Sequence, residues 1–277
     1  MRDKDCVEFL QGHLPRLGLR WAGYRKVRRT VCKRLGRRLR ELGLESLATY
    51  DALLEQDPEE WRRLDGLCRI PISRFYRDRK VFETLARCVL PELAQWAAAR
   101  GDRRVRCWSA GCASGEEPYS LRIAWSQCAE PANPGIAIGI LATDAEPAML
   151  GRAARACYGK GSLKDLSPDA LERAFVQTDD GYCLRPEFKE GVTFELRDIR
   201  SEPPEGEFDL ILCRNLVFTY FDTALQAKVL SRLEARLRPG GYLVIGGHER
   251  LPAQAKEFMP CDKALPIFRK ESGTARL

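Results

Sequence analysis

No stretch of the 277-residue sequence reaches the roughly 18 unbroken apolar residues that a membrane-spanning helix needs, so bilayer insertion is not expected. The first residues, Met1-Arg2-Asp3-Lys4-Asp5, are charged and lead into no apolar run. Secretion is therefore disfavoured and a cytoplasmic protein is expected. Only two histidines occur, and the eleven cysteines form no Cys-x-x-Cys pair, so no metal site is expected. The odd number and uneven spacing of the cysteines read as reduced thiols acting as small core hydrophobes, not as a disulfide framework. Also missing is Gly-x-Gly-x-x-Gly, and no Lys-Ser/Thr follows a glycine-rich loop, which disfavours a polyphosphate cradle. Between Arg16 and Arg40 there is no acidic residue, against eleven arginines and lysines. A block of one sign either faces water or suits an acidic partner. Nucleic acid is disfavoured as that partner, because interleaved aromatics and an RNA-binding motif are absent.

What is present is a globular composition, with 44% hydrophobic and 31% charged residues. Residues 1–97 read as a helical domain. Val31, Leu35, Leu39 and Leu42 recur at helical spacing among the basic residues, and Gly43 ends that helix. Leu47–Leu54, Pro58–Leu67 and Arg79–Trp96 read as further helices. From 98 to 277 the texture changes to strands alternating with helices. Val105–Ala110, Ile136–Thr143, Val192–Leu196, Phe208–Cys213, Tyr242–Ile245 and Leu265–Arg269 read as strands. Glu117–Ala129, Ala145–Ala156 and Thr223–Leu237 read as helices, the last stopped by Arg238-Pro239-Gly240-Gly241. Such alternation predicts an α/β fold with a largely parallel sheet covered on both faces. Residues 159–191 interrupt it and read as a small insertion: a short helix from Ser167-Pro168 to Phe175, then two extended pieces around an Asp179-Asp180-Gly181 turn.

Ligands of open α/β sheets sit beyond the carboxyl ends of the strands, and four candidate groups fall there. The turn Gly111-Cys112-Ala113-Ser114-Gly115 has small residues that permit close backbone approach. Glu116-Glu117, directly after it, would repel phosphates and suits a cation carrying an ammonium and a sulfonium. Asp144 can accept two hydrogen bonds from ribose hydroxyls. Asp198 can meet an adenine amino group, and Asn215 ends the fourth strand. Any one alone reads as a helix cap or turn residue; four at successive strand ends read as a site.

These residues carry a family resemblance that covers nearly the whole chain. Trp108-Ser109-Ala110-Gly111-Cys112-Ala113-Ser114-Gly115-Glu116-Glu117-Pro118-Tyr119-Ser120 resembles the cofactor motif of the CheR-type chemotaxis receptor methyltransferases, which methylate protein glutamates. Ala142-Thr143-Asp144 is similar to their ribose motif, Cys213-Arg214-Asn215 to their central strand end, and Leu237-Arg238-Pro239-Gly240-Gly241 to their later turn. The resemblance implies a Rossmann-like class I methyltransferase sheet with a helical N-terminal domain, and S-adenosylmethionine as cofactor. It implies that Ser73 and Arg77 line the methionine end, Glu117 meets the ammonium, Asp144 holds the ribose and Asp198 and Ile199 border the adenine. Asn215 and Leu216 would complete the pocket beside Gly111 and Ala113. The basic helix resembles the one associated in the family with the receptor's methylation region.

Three segments depart from the family. Pro71 replaces a polar residue. Asn215-Leu216-Val217-Phe218-Thr219-Tyr220-Phe221-Asp222 is longer by one residue, so the family's active-site tyrosine corresponds to Tyr220, shifted, or its place is taken by Thr219. Gly247-His248-Glu249 stands for Gly-His-Ser-Glu. The function expected is O-methylation of glutamate carboxylates on an acidic protein such as a receptor's cytoplasmic region, with Arg77 and Tyr220 orienting the acceptor. A small-molecule acceptor on the same scaffold is the alternative, and a non-catalytic binding module the third. His248 reads as structural unless the acceptor needs a base.

Overall fold

A computed structural model of the chain describes residues 2–201 and 203–271, and its contacts divide into two compact units. The first comprises residues 1–70 and 219–226, the second 71–218 and 227–277.

The first unit contains helices α1 (Asp3–His13), α2 (Trp21–Tyr24), α3 (Arg28–Glu41), α4 (Leu47–Gln56) and α5 (Pro58–Cys68). Helix α3 buries Val31, Cys32, Leu35 and Leu39 and exposes Arg29, Lys33, Arg37 and Arg40; Gly43, at φ +67°, follows its end. Helix α4 starts on a reciprocal Ser46–Thr49 cap, and α5 starts with Pro58 behind Asp57, whose carboxylate accepts the Glu59 N–H at 2.8 Å. Inside the unit Arg38 donates to both oxygens of the buried Glu60, at 2.9 and 2.6 Å, and the Tyr50 hydroxyl donates to Glu60 at 2.7 Å. These donors, Arg38 first, hold the Glu60 carboxyl below its ordinary range despite its burial. Residues 219–222 run against Gly18–Arg20: Leu19 and Phe221 form an antiparallel bridge, and Asp222 N donates to Gly18 O at 2.8 Å.

The second unit opens with α6 (Arg79–Thr84), a π-helical turn and α7 (Leu90–Ala99). There follow β1 (Arg104–Ala110), α8 (Glu116–Ala132), β2 (Ala137–Asp144), α9 (Pro147–Arg155), β3 (Cys157–Tyr158), α10 (Pro168–Ala174), β4 (Phe175–Thr178), β5 (Gly181–Leu184), β6 (Val192–Leu196) and β7 (Phe208–Leu212). Helix α11 (Val217–Tyr220) leads into the first unit; α12 (Thr223–Arg236) leads back to β8 (Leu237–Val244), β9 (Phe258–Pro260) and β10 (Ile267–Lys270). Seven strands form one sheet in the order β6-β2-β1-β7-β8-β10-β9. The first five are parallel, and β10 is antiparallel to both its neighbours. From β1 the chain first builds toward β6 and then crosses to β7, so β1 and β7 flank the point where strand order reverses. Strand β7 is buried throughout.

The insertion is a three-stranded antiparallel sheet, β3-β5-β4, with α10 capped by Ser167. Its first strand, two residues long, is too short for periodicity to reveal. Strand β8 starts at Leu237, so the segment expected to be a plain helix stop is the bulged start of a strand. There Phe208 pairs with Leu237 and Leu210 with Tyr242, and Gly240 takes φ +79°. Strand β9, three residues long and ending in proline, carries no period that would mark it in the sequence. The expectation of reduced cysteines throughout also needs correction. Cys6 on α1 is bonded to Cys32 on α3, and Cys157 to Cys183 across β3 and β5. Both partners of each pair sit on elements brought together only by the fold. Of the seven free cysteines, Cys68, Cys107, Cys112 and Cys213 are buried as small apolar residues.

Candidate active site

The carboxyl ends of β1, β2, β7 and β8 carry a connected set of polar groups in the second unit. After β1 the chain turns through Gly111 at φ +78°, Ala113 at +48° and Gly115 at +90° into α8. A Cβ on Gly111 would overlap Leu216 Cδ2, and one on Gly115 would stand 2.9 Å from Ala153 Cβ and 3.1 Å from the Tyr158 hydroxyl. Glycine is thus required twice, for its backbone angle and for space. The Asp144 carboxylate holds the turn from β2, accepting the Ala113 N–H at 2.8 Å and the Glu146 N–H at 2.9 Å.

The two acidic residues after the turn have separate environments. Glu116 is buried and accepts from Ser114 Oγ at 3.0 and 2.9 Å and from the Ser73 side chain. Ser73, expected at the methionine end, is thereby tied to α8. Glu117 accepts from Ser109 Oγ at 2.8 Å and from Arg214 Nη1 at 3.1 Å. Burial pushes both carboxyls up; for Glu117 the Arg214 guanidinium opposes that rise.

The segment 73–77 is anchored by its aromatic residues. Phe75 is fully buried, edge-on to Tyr158 at 4.8 Å and Phe175 at 5.1 Å, and Tyr76 N donates to Ser120 Oγ at 3.0 Å. Arg77 donates from Nη1 to Ile72 O at 2.8 Å and from Nη2 to Asn215 Oδ1 at 2.9 Å. Its own carbonyl accepts Arg214 Nη2 at 2.7 Å, and that nitrogen also meets Asp78 at 2.7 Å. Arg214 is nearly fully buried over the Phe82 ring, and its Nε lacks a partner among the described residues. Asn215 takes φ +57°, and its N–H donates to Glu249 at 2.8 Å.

At the sheet edge, Asp198 follows β6 and pairs with Arg200 at 2.7 Å. It lines an open groove of about 530 Å³ with Glu195, Leu196, Arg197 and Ser201, and the neighbouring Ile199 is buried. Arg232 donates to the Ile199 and Arg200 carbonyls. Thr219 and Tyr220 belong to the first unit, where their carbonyls accept from Arg20 at 3.1 and 2.8 Å and the Tyr220 ring lies 5.1 Å from Tyr24. His248 is exposed.

The structure thus joins Gly111 to Leu216, Ala113 to Asp144, Ser73 to Glu116 and Arg77 to Asn215. Three charged residues outside the expected set belong to the same network: Asp78, Arg214 and Glu249. For the last two the available signal was position, since each follows a strand end as the expected residues do.

A family model described as the CheR methyltransferase SAM-binding domain matches residues 72–265, and one described as the CheR methyltransferase all-alpha domain matches residues 25–64. Chemotaxis protein methyltransferase 1 of Pseudomonas aeruginosa is 34% identical over 229 residues, covering 80% of this chain and 81% of that protein. The chemotaxis protein methyltransferase of Listeria monocytogenes is 37% identical over 186 residues, 67% of this chain and 68% of that protein. An uncharacterized 104.1 kDa protein of Rhodobacter capsulatus is 35% identical over 229 residues, 83% of this chain. The chain spans about a quarter of the length of that last relative, 24%. The mostly buried Glu117 carboxylate and the Asp144 carboxylate after β2 are acceptors of the kind that an ammonium and a ribose hydroxyl require. The chain belongs to the CheR methyltransferase family and is an S-adenosylmethionine-dependent methyltransferase.

Proposed function

We propose that the chain methylates glutamate carboxylates of an acidic protein, such as the cytoplasmic region of a chemotaxis receptor, and works in the cytoplasm. The observation that carries this reading is the division of labour among the cations of α3. Arg28 pairs with Asp3, Arg34 donates to the Leu67 and Arg69 carbonyls, and Arg38 is committed to Glu60. Arg29, Lys33, Arg37 and Arg40, spaced four, four and three residues apart, are exposed with no ion pair among the described residues. They form one row on the helix, suited to a carboxylate-rich surface.

In the second unit Glu117 would meet the cofactor's ammonium, Asp144 its ribose, and Arg77 with Ser73 its methionine end. Asp198 and Ile199 would border the adenine, with Gly111, Ala113, Asn215 and Leu216 completing the pocket. The bound cofactor supplies a methyl group on a positively charged sulfur. A glutamate acceptor, with an ordinary pKa of about 4.3, is ionised at pH 7 and needs no general base. The chain's task is then orientation and exclusion of water. Arg77 suits the orientation of a carboxylate through its guanidinium fork, with Tyr220, or Thr219 in its place, as second partner. The lengthened Asn215–Asp222 loop favours the alternative of a small-molecule acceptor.

Incubation with methyl-labelled S-adenosylmethionine and a receptor cytoplasmic fragment tests the reading. Base-labile methyl esters on that protein are expected. Label found only in small molecules, with lysate as the acceptor source, would overturn it.

A further inference from the structure

We propose that Glu249 is a positioning residue of the methyl-transfer site, fixing the Asn215 backbone on which Arg77 is oriented; this rests on the cofactor-pocket reading above. One carboxylate oxygen, Oε2, accepts the N–H of Asn215 at 2.8 Å and the N–H of Gly246 at 2.6 Å. Glu249 is buried, and its own N–H donates to Gly246 O at 2.9 Å, closing the turn after β8. A charged acceptor in a buried turn makes strong hydrogen bonds. The turn is shaped for it: a Cβ on Gly246 would lie 2.7 Å from Glu249 Oε2 and 2.9 Å from Asn215 Cγ.

Asn215 stands at φ +57°, the left-handed region that asparagine tolerates better than other residues with a Cβ, and the Glu249 bond to its N–H fixes it there. Two strands share the task, since Asn215 follows β7 and Glu249 follows β8. With the backbone held, Asn215 Oδ1 accepts Arg77 Nη2 at 2.9 Å. Removal of the Glu249 carboxylate loosens the Asn215 backbone and with it the asparagine contact that orients Arg77 Nη2, while Nη1 stays on the Ile72 carbonyl. Glu249 itself is assigned no contact with cofactor or acceptor.

The test is calorimetric titration of the full chain with S-adenosylmethionine. Glu249→Ala is expected to weaken binding about tenfold, the scale of one hydrogen bond to a charged group. The double variant with Asn215→Ala should bind no more weakly than Asn215→Ala alone, because both act through one contact. Glu249→Gln, whose amide oxygen can still accept both N–H groups, should return to within about threefold of the parent. A structural loss alone would not produce this rescue together with non-additivity. Parental affinity in Glu249→Ala with weakened Asn215→Ala overturns the positioning role and leaves the pocket reading intact. Parental affinity in Asn215→Ala overturns the pocket reading itself. If Glu249→Ala does not fold, Glu249→Asp takes its place, with the carboxylate withdrawn by one bond of about 1.5 Å; parental affinity there also overturns the role.

Discussion

Glu117 is the residue whose chemistry is most exposed to experiment. Burial raises its carboxyl pKa, so the fold gains stability from its proton at low pH and loses that contribution as pH rises through the raised value. On the proposed contact between Glu117 and the cofactor's ammonium, binding has the opposite sign, because an ammonium needs the ionised form. Affinity for S-adenosylmethionine is therefore expected to fall on acidification at a pH above the ordinary carboxyl value of about 4.3. Glu117→Gln should bind weakly and lose this pH dependence, which titration calorimetry across pH would show. At the turn, Gly111→Ala places a methyl group against Leu216 on a backbone at φ +78°. A stability loss of about 1–3 kcal/mol with weakened cofactor binding is expected, measured by denaturant unfolding. Gly111 and Asp144 were legible from the sequence because each follows a recognisable strand. Arg214 and Glu249 also follow strand ends, but they act through other residues, and their partners show only where β1, β7 and β8 meet.

Among the elements, α3, α4 and α5 share one electrostatic contact. Arg38 and Tyr50 both donate to Glu60. Among the described residues, Glu60→Ala leaves the partly buried Arg38 with only the exposed Glu41 carboxylate at 3.5 Å and removes the acceptor of the buried Tyr50 hydroxyl, and should lower stability by about 3 kcal/mol. Since the Glu60 carboxyl is held below its ordinary range, its contribution is complete above that range and is lost as pH falls through the lowered value. The parent's acid unfolding should therefore flatten in the variant. A repeating period marks α3 by its buried stripe and β6 at its exact ends, and the Ser167-Pro168 cap marks α10. No period marks β3 and β9, two and three residues long, and the bulged start of β8 at Leu237 mimics a helix stop, although Tyr242–Ile245 reads as a strand. The disulfides were illegible for a related reason. Each joins cysteines 26 residues apart, with nothing local to mark the partner.

For the whole molecule, the formal charge of +7 is less informative than its placement. The unpaired row on α3 is expected to govern the encounter with an acidic protein and not the chemical step. Raising salt from about 0.05 to 0.5 M, which shortens the screening length several-fold, should raise KM for such a substrate with kcat nearly unchanged. The variant carrying Arg29→Glu and Arg37→Glu should bind the substrate poorly and lose most of that salt dependence while binding cofactor normally. Salt-independent KM in the parent would remove the row from the substrate interface. The parallel sheet was legible as alternation and its motifs as strand ends. The return of residues 219–226 to the first unit was not, because no local pattern marks a contact with Gly18–Arg20.

The cross-strand bond of the insertion has a consequence for cleavage. Asp179 and Asp180 are exposed at the tip between β4 and β5, and they lie between Cys157 and Cys183 in the chain. A protease that cuts there yields two fragments still joined covalently beside the Tyr158 hydroxyl, which donates to the Ser114 carbonyl under the cofactor turn at 2.8 Å. The nicked protein should run as one band on a non-reducing gel and as two after reduction. It should also keep its affinity for S-adenosylmethionine until the reductant is added.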